Sequence, residues 1–347
     1  MGTNILKKIQ ITLFISGLCF MAACNKGCND QKLKVDVDEV KVEISYQRFD
    51  LDLFKCKDAE DIIRLKENYK SFYFDFVFRV LGFKPIDSDS LCTTQMLRFV
   101  SDSNMLSLQD SIKKVFNDDK FLMEGLTEAM KHYKYYFKTD SVLPRFIGFP
   151  SLLHYPNIFS DDYIGIGLDM YLGKDFPYYY DSRLDYPKYL IDKFIKEYAL
   201  RNTIRAFIEQ KFEQEPSIVF IERAVQQGKI YYMLDALCPE MPDTIKIQYS
   251  NTKLNWIKAV EKEMWIDFVN RKVLYEKDGF ENDKYFSDGP FTNAPNVSRD
   301  SPPRVGEWLG WQIVRKYMEN HSTVTLPELM NEKDLMKIFK DSGYRPK

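Results

Sequence analysis

Apolar residues recur at helical spacing over most of the chain. Large aliphatic or aromatic side chains stand three and four residues apart, which is typical of amphipathic helices. In residues 58–80 they include Ile62 and Leu65, and Gly82 follows the run. A break near Gly228 is expected, because glycine weakens a helix. The same spacing predicts further helices over residues 88–100, 120–137, 188–212, 218–237 and 251–275.

Shorter segments alternate between apolar and polar residues and predict strands. Residues 40–46 alternate, and residues 49–53 alternate again, which predicts a first strand or hairpin edge. A second extended segment lies between Pro144 and Pro150, because prolines at both ends disfavour a helix. Residues 163–173 contain three glycines and predict a strand that turns into a loop.

The last third of the chain combines a long loop with further helices. Residues 276–299 are rich in Asp, Asn, Gly and Pro and predict a surface loop. Ser301 and the two prolines after it predict a helix start. In that helix Gly306 and Gly310 share one stripe, so a neighbouring helix can approach closely.

The pattern as a whole predicts one α+β domain at residues 38–347, mainly helical with a small sheet. Thr325 and Glu328 form a capping-box pattern that opens the final helices. There is no internal repeat, heptad run or low-complexity tract.

The N-terminal segment has the features of a lipoprotein signal peptide. Lys7 and Lys8 precede an apolar run at residues 11–20, which is followed by Met-Ala-Ala and Cys24. Cleavage before Cys24 and acylation of its side chain would fasten the chain to a membrane lipid. The alternative is an ordinary signal peptide with a coincidental cysteine.

This prediction divides the chain into a signal peptide at residues 1–23, a polar tether at residues 24–37 and the folded domain. We expect the mature protein in the cell membrane or outer membrane, anchored by lipid, with the periplasmic side favoured. The sequence does not decide between the two membranes.

The composition excludes several functional classes. Charged residues make up 29% of the 347 residues and apolar residues 45%, which disfavours a disordered chain and a multi-span membrane protein. The 49 basic and 51 acidic residues leave no net attraction for polyanions. Binding to nucleic acid is therefore not expected.

Four cysteines remain after signal removal and acylation: Cys28, Cys56, Cys92 and Cys238. They allow three complete disulfide pairings, and the sequence does not choose among them. No C-x-x-C pair is present, so neither a zinc knuckle nor a thioredoxin-like site is indicated. Buried free thiols are favoured over a disulfide framework in a domain of this size.

Known catalytic motifs are absent from the sequence. The histidines His132, His154 and His321 are widely separated, and no H-E-x-x-H, G-x-S-x-G or phosphate-binding loop occurs. No metal and no cofactor are therefore predicted. One enzymatic alternative stays open, a peptidase-like hydrolase in which Glu197 acts beside a metal held by carboxylates. Its candidate carboxylates are Asp169, Asp175, Glu197 and Glu209.

An aromatic cluster provides a candidate binding surface. Tyr178, Tyr179 and Tyr180 follow one another, with Tyr186 nearby. Such rings can stack on a glycan or a peptide, although packing inside the protein is their more common use. A lipoprotein that binds glycans or peptides is thus a second alternative.

Four segments together resemble the GldB family of gliding-motility lipoproteins, over residues 46–346. The resemblance implies a periplasm-side lipoprotein of Gram-negative bacteria that gliding species need for gliding, and it implies no known enzymatic activity. The segments are GIGLDMYLG at 165–173, QGKIYY at 227–232, DGPFT at 288–292 and SPPRVGEWLGWQIV at 301–314.

The family is also similar, more distantly, to gluzincin-like zinc peptidases that have lost their metal. On that resemblance, residues 196–200 occupy the place of the H-E-x-x-H segment, with Lys196 and Leu200 at the histidine positions and Glu197 retained. Gln227 would occupy the place of the third ligand. The resemblance implies a degenerate site that binds no zinc.

These observations predict a noncatalytic lipoprotein of the gliding machinery or of a related export system for surface proteins. We expect its partners to be membrane lipid, through acylated Cys24, and other envelope proteins. The oligomeric state is not indicated.

Overall fold

The computed structural model describes residues 33–84, 89–140 and 142–347. The signal peptide, Cys24 and Cys28 lie outside these ranges. The elements up to residue 136 are β1 (Tyr46–Arg48), α1 (Phe49–Leu53), α2 (Ala59–Tyr69), α3 (Ser71–Asp75), a π-helical turn (Phe76–Val80), α4 (Asp89–Ser101), α5 (Ser103–Val115) and α6 (Lys120–Tyr136).

The remaining elements lie between residues 145 and 342. The strands and short helical turns are β2 (Arg145–Phe149), β3 (Asn157–Ser160), β4 (Tyr163–Gly167), and 3-10 turns at Leu168–Tyr171, Pro177–Tyr180 and Val273–Tyr275. The helices are α7 (Lys188–Ile191), α8 (Lys196–Lys211), α9 (Phe220–Leu237), α10 (Asp243–Ile247), α11 (Asn251–Asn270), α12 (Gly279–Asp283), α13 (Val305–Asn320), α14 (Leu326–Asn331) and α15 (Leu335–Ser342).

The four strands form one sheet in the order β1-β2-β4-β3. Strands β1, β2 and β4 are parallel, whereas β3 runs antiparallel to β4. Apolar side chains alternate between the two faces of the sheet. Ile164 and Ile166 face a large cluster built mainly by the later helices, whereas Ile147 and Phe149 face a smaller cluster built by α1 to α4. The prediction of a mainly helical α+β domain with a small sheet is confirmed.

Helices α9 and α13 touch through their backbones. A Cβ atom added to Gly228 would lie 2.1 Å from the carbonyl oxygen of Gly310, and one added to Gly310 would lie 1.7 Å from the carbonyl oxygen of Ala224. The predicted break at Gly228 was wrong, because α9 continues through it. The close approach expected of Gly310 is confirmed, whereas Gly306 stands against the ring of Phe286.

Several predicted boundaries need correction. Residues 49–53 form a helix rather than a strand, because Phe49 and Leu53 both enter the core one turn apart. The 58–80 helix changes direction at Lys70, whose φ is 50°. The 188–212 helix is divided into α7 and α8.

The last helices also differ in detail from the prediction. Ser301 does not cap a helix, because its side chain accepts a hydrogen bond from the backbone N–H of Thr292, and α13 begins after Arg304. The capping box of Thr325 and Glu328 is confirmed. Helix α12 lies within the segment predicted as a loop, with Asn282 buried.

The first described residues belong to the folded body. Leu33 and Val37 are buried, although both fall in the segment predicted as a tether. Tyr136 donates a hydrogen bond to the carbonyl oxygen of Leu33, and Lys34 pairs with Glu240. The apolar side chains at residues 33 and 37 explain why this part of the segment packs against the folded domain. None of the helices in the described ranges has the length and apolar character needed to cross a membrane.

Candidate functional site

A buried ionic centre lies where α8, α9 and α13 meet. Helix α8 carries Arg201 and Arg205, which are four residues apart and therefore share one face. Both guanidinium groups donate to the hydroxyl oxygen of Tyr231 on α9, at 3.3 Å and 3.1 Å. That hydroxyl donates in turn to Oε2 of Glu307 on α13, at 2.5 Å. The three helices are thus joined through one tyrosine hydroxyl group.

The carboxylate of Glu307 is surrounded by positive charge. Arg304 approaches it to 3.4 Å and Arg205 to 3.7 Å. Burial raises the pKa of Glu307, but the guanidinium groups of Arg304 and Arg205 outweigh burial, so the pKa lies below its ordinary value. Glu307 is therefore ionised whenever the protein is folded near neutral pH.

Basic groups outnumber the acidic ones at this centre. Burial and the neighbouring charges of Arg205 and Arg304 lower the pKa of Arg201 to about 10. Arg201 donates to the backbone oxygen of Lys246 and to Asn202, and no carboxylate of the described residues lies within ion-pair distance of it. A metal cation placed at this centre would be repelled by the positive charges of Arg201, Arg205 and Arg304.

A second basic group extends the centre toward the surface. The ammonium group of Lys193 lies 2.6 Å from Oδ1 of Asp288. Burial and the charge of Arg304 nevertheless lower the pKa of Lys193 to about 8. Arg304 Nε has no hydrogen-bond partner in the described part of the chain, and Asp288 lies 3.6 Å from it.

The structure places Gln227 apart from the other residues assigned to the degenerate peptidase site, at a different cleft from Glu197 and Leu200. The ammonium group of Lys196 lies over the rings of Phe116 and Phe121, at 5.5 Å and 5.2 Å. Leu200 packs against Gly125 of α6. Gln227 belongs to α9, where it accepts a hydrogen bond from Arg205 at 2.7 Å.

Glu197 lies at an open, apolar cleft between α6, α8 and the segment after α9. The cleft measures about 300 Å³ and is lined mainly by apolar side chains, among them Phe121, Leu237 and Ile245. Glu197 is exposed at its edge, and His132 lines the same cleft. Burial lowers the pKa of His132, so this ring is neutral at pH 7.

The other candidate carboxylates serve separate parts of the fold. Asp169 is fully buried and accepts hydrogen bonds from the backbone N–H groups of Ser151 and Leu153, both at 2.7 Å. Glu209 pairs with Arg205 at 2.7 Å, and Asp175 is exposed. Across residues 33–84, 89–140 and 142–347, no group of three His, Cys, Asp or Glu side chains is placed to hold a metal ion.

The structure separates the three consecutive tyrosines. Tyr178 and Tyr180 are exposed, whereas Tyr179 is buried and donates to the backbone oxygen of Asp169. Tyr186 is half-buried and bonds to Leu153. A binding surface here would therefore present Tyr178 and Tyr180 but not Tyr179.

Cys56, Cys92 and Cys238 form no disulfide bond with one another within the described residues. Burial raises the pKa of Cys56 to about 11 and that of Cys238 to about 12. Neither group is a reactive thiolate at neutral pH.

Sequence reasoning missed the ionic centre. Arg201, Arg205, Tyr231, Arg304 and Glu307 come from three helices, and none was singled out for chemistry. A signal was nevertheless present, because the arginines stand four apart on a predicted helix and Glu307 interrupts an apolar stripe.

Comparison with known proteins gives one match. No curated protein sequence and no solved structure matches the chain significantly, so the resemblance to a gluzincin-like scaffold remains a prediction. The family model described as gliding motility protein GldB matches residues 30–346. The chain therefore belongs to the family of gliding motility protein GldB.

Proposed function

We propose that this protein is a noncatalytic lipoprotein of the gliding machinery, held on the periplasmic side of a membrane through acylated Cys24, and that it works by binding other envelope proteins. The family match supports the link to gliding. The predicted signal peptide supports the lipid anchor.

The observation that supports a noncatalytic role is the excess of positive charge at the ionic centre. Its geometry is structural: Arg201 and Arg205 donate to the hydroxyl of Tyr231, and Arg304 pairs with the carboxylate of Glu307. A metal ion would need anionic or neutral ligands where guanidinium groups stand. The centre therefore supports a role in holding the helices together.

The enzymatic alternative depends on Glu197, which is exposed and apart from Gln227. A general base must lie within hydrogen-bond reach of its substrate and must be aided by neighbouring groups. Near Glu197 the cleft offers mostly apolar side chains and the neutral ring of His132, which lies 3.6 Å from Glu128. The carboxylate of Glu240 also lines the cleft and is exposed.

The experiment compares variants in a gliding bacterium that lacks its own member of the family. The full chain, Glu197→Gln and Cys24→Ser are expressed at equal levels, and colony spreading is measured. If the wild-type chain restores spreading, Glu197→Gln should restore it equally and Cys24→Ser should lose it together with membrane attachment. A loss of spreading in Glu197→Gln, at unchanged protein level and thermal stability, would contradict the proposal.

A further inference from the structure

Strand β3 lies at an edge of the sheet. Its one partner among the described strands is β4, with Ile158 opposite Gly165 and Ser160 opposite Tyr163. An edge strand presents backbone N–H and C=O groups that another chain can pair with. Phe159 at its middle is 49% exposed, which is high for a phenylalanine within a strand.

The register shows which backbone groups face outward. The backbone N–H of Gly167 donates to the carbonyl oxygen of Pro156, so these two residues form a hydrogen-bonded pair. Hydrogen-bonded pairs alternate along an antiparallel ladder, so Ile158 and Ser160 are also paired through their backbones. Asn157 and Phe159 therefore turn their C=O and N–H groups to the free edge.

The edge opens onto a cleft. Successive side chains of a strand point to opposite faces, and the side chain of Asn157 reaches Thr203 of α8, at 3.3 Å. Phe159 therefore points to the same face as α8. There it lines a cleft of about 480 Å³ together with Phe212, Ile230 and Met330.

Two glutamine side chains add polar groups to the cleft. Gln210 donates through Nε2 to the backbone of Ser160, which leaves its Oε1 without a partner among the described residues. Gln227 accepts a hydrogen bond from Arg205 through Oε1, which leaves its Nε2 without a partner among the described residues. An amide oxygen and an amide nitrogen of this kind suit a peptide backbone or a polar side chain.

The charge around the cleft is negative. Asp161 and Glu213 are exposed and Glu209 is half-exposed, and all three line the cleft. Among the described residues that line the cleft, one is basic. This residue, Lys229, is buried and donates to the backbone oxygens of Met330 and Glu332. Basic side chains of a partner would therefore be attracted to this face.

From these features we infer that the β3 edge binds an extended, basic polypeptide segment of an envelope partner by adding it to the sheet as a further strand. The inference rests on the proposed function, because it names the class of partner and the place where that partner binds. Pairing with Asn157 and Phe159 supplies the backbone hydrogen bonds, and the cleft receives alternate side chains of the segment. Residues that pair with Phe159 place their side chains on the α8 face, as Phe159 does.

The test uses defined peptides and the purified full chain. The first probe is a fluorescein-labelled eight-residue peptide of alternating Val and Lys, and the second replaces Lys by Glu. Fluorescence anisotropy should show saturable binding of the Lys peptide, weakened by added salt, and weaker binding of the Glu peptide. Absence of saturable binding of the Lys peptide up to about 1 mM, which is weak even for a transient interaction, would overturn the inference.

Backbone pairing is tested with two N-methylated forms of the Lys peptide. One form carries the methyl groups on the Val amides and the other on the Lys amides, so each blocks one edge of the peptide strand. Strand addition uses one edge, so one form should bind like the parent peptide and the other should lose binding. Equal binding of both forms, or equal loss, would overturn the inference.

Variants of the protein locate the site. Phe159→Pro removes the outward N–H at an edge position that tolerates proline, whereas Phe159→Ala removes the ring and keeps that N–H. The proline variant should bind the Lys peptide about fivefold more weakly than the alanine variant, as expected for the loss of one hydrogen bond. Equal affinity of the two variants, both with wild-type thermal midpoints, would exclude β3.

Charge reversal tests the attraction separately. Glu213→Lys should weaken binding of the Lys peptide and strengthen binding of the Glu peptide, and Lys262→Glu on the exposed part of α11 is the matched control. If Glu213→Lys changes the affinity for neither peptide, the peptide does not bind in this cleft. Such a failure would leave the noncatalytic role untouched, because that role is tested by Glu197→Gln.

Discussion

Two parts of helix α8 have very different surroundings. In its middle turns, Arg201 and Arg205 lie in a buried network in which Tyr231 and Glu307 satisfy the charged groups. In its first turn, Glu197 lies at an open apolar cleft, where no partner is assigned to its carboxylate among the described residues. The comparison shows that polar residues on one helix can be structural in one turn and free for other uses in the turn before it.

The largest expected effect is the loss of the carboxylate in the buried network. Glu307→Gln removes the buried carboxylate that pairs with Arg205 and Arg304, which should lower the free energy of unfolding by about 3 to 5 kcal/mol. Glu197→Gln is the matched control and should change that free energy by less than about 0.5 kcal/mol. Urea unfolding of both variants measures the difference, and similar values for the two would remove the contrast between the buried network and the open cleft.

The next effect comes from the backbone contact between α9 and α13. Gly310→Ala places a Cβ against the backbone of Ala224, which cannot move independently, so we expect a loss of about 2 kcal/mol in the free energy of unfolding. Gly125→Ala on the open side meets the flexible end of Leu200 instead. Its cost should be smaller and partly offset by the better helix propensity of alanine. A larger loss in Gly125→Ala than in Gly310→Ala would contradict this account.

A pH effect should follow from Lys193 at the edge of the ionic centre. Its folded pKa of about 8 lies below the ordinary value near 10.4, so between these values the unfolded chain binds more protons. The contribution of Lys193 to the free energy of unfolding should therefore increase as the pH rises from 8 to 10, by up to about 1.4 kcal/mol per pH unit.

Lys193→Met should flatten this slope, whereas the exposed Lys174→Met should leave it unchanged. The measurement is urea unfolding at several pH values between 8 and 10. An unchanged slope in Lys193→Met would show that the pKa of Lys193 is not lowered in the folded protein.

The smallest expected effect on stability concerns the exposed tyrosines. In the double variant Tyr178→Ala, Tyr180→Ala, each substitution should change the free energy of unfolding by less than about 0.5 kcal/mol, because both rings are exposed. Tyr179→Ala should cost several kcal/mol, since it removes a fully buried ring. If the double variant also keeps every envelope protein that co-purifies with the wild type, this surface has no role in binding.

The fold class could be predicted from sequence because it depends on local periodicity. The helices near residues 120–137 and 218–237 appear where their apolar spacing placed them, and β2 appears between its two prolines. Helix α5 was missed because its apolar residues are separated by serine and asparagine. Strand β3 was missed because it has four residues, two of them polar.

The ionic centre could not be predicted in the same way. Arg205, Tyr231 and Glu307 meet only because α8, α9 and α13 pack together, and the closeness of two of these helices depends on Gly228 and Gly310. Local patterns carry no information on which distant side chains share a contact. The resemblance placed the degenerate site at residues 196–200, one turn away from the buried arginines.

The most direct test of the noncatalytic claim is a hydrolysis assay with the purified full chain. Fluorescein-labelled casein is incubated with the wild-type chain and with Glu197→Gln, each with and without one equivalent of zinc. We predict that neither protein releases labelled fragments faster than buffer alone. Release by the wild-type chain that disappears in Glu197→Gln would contradict the account.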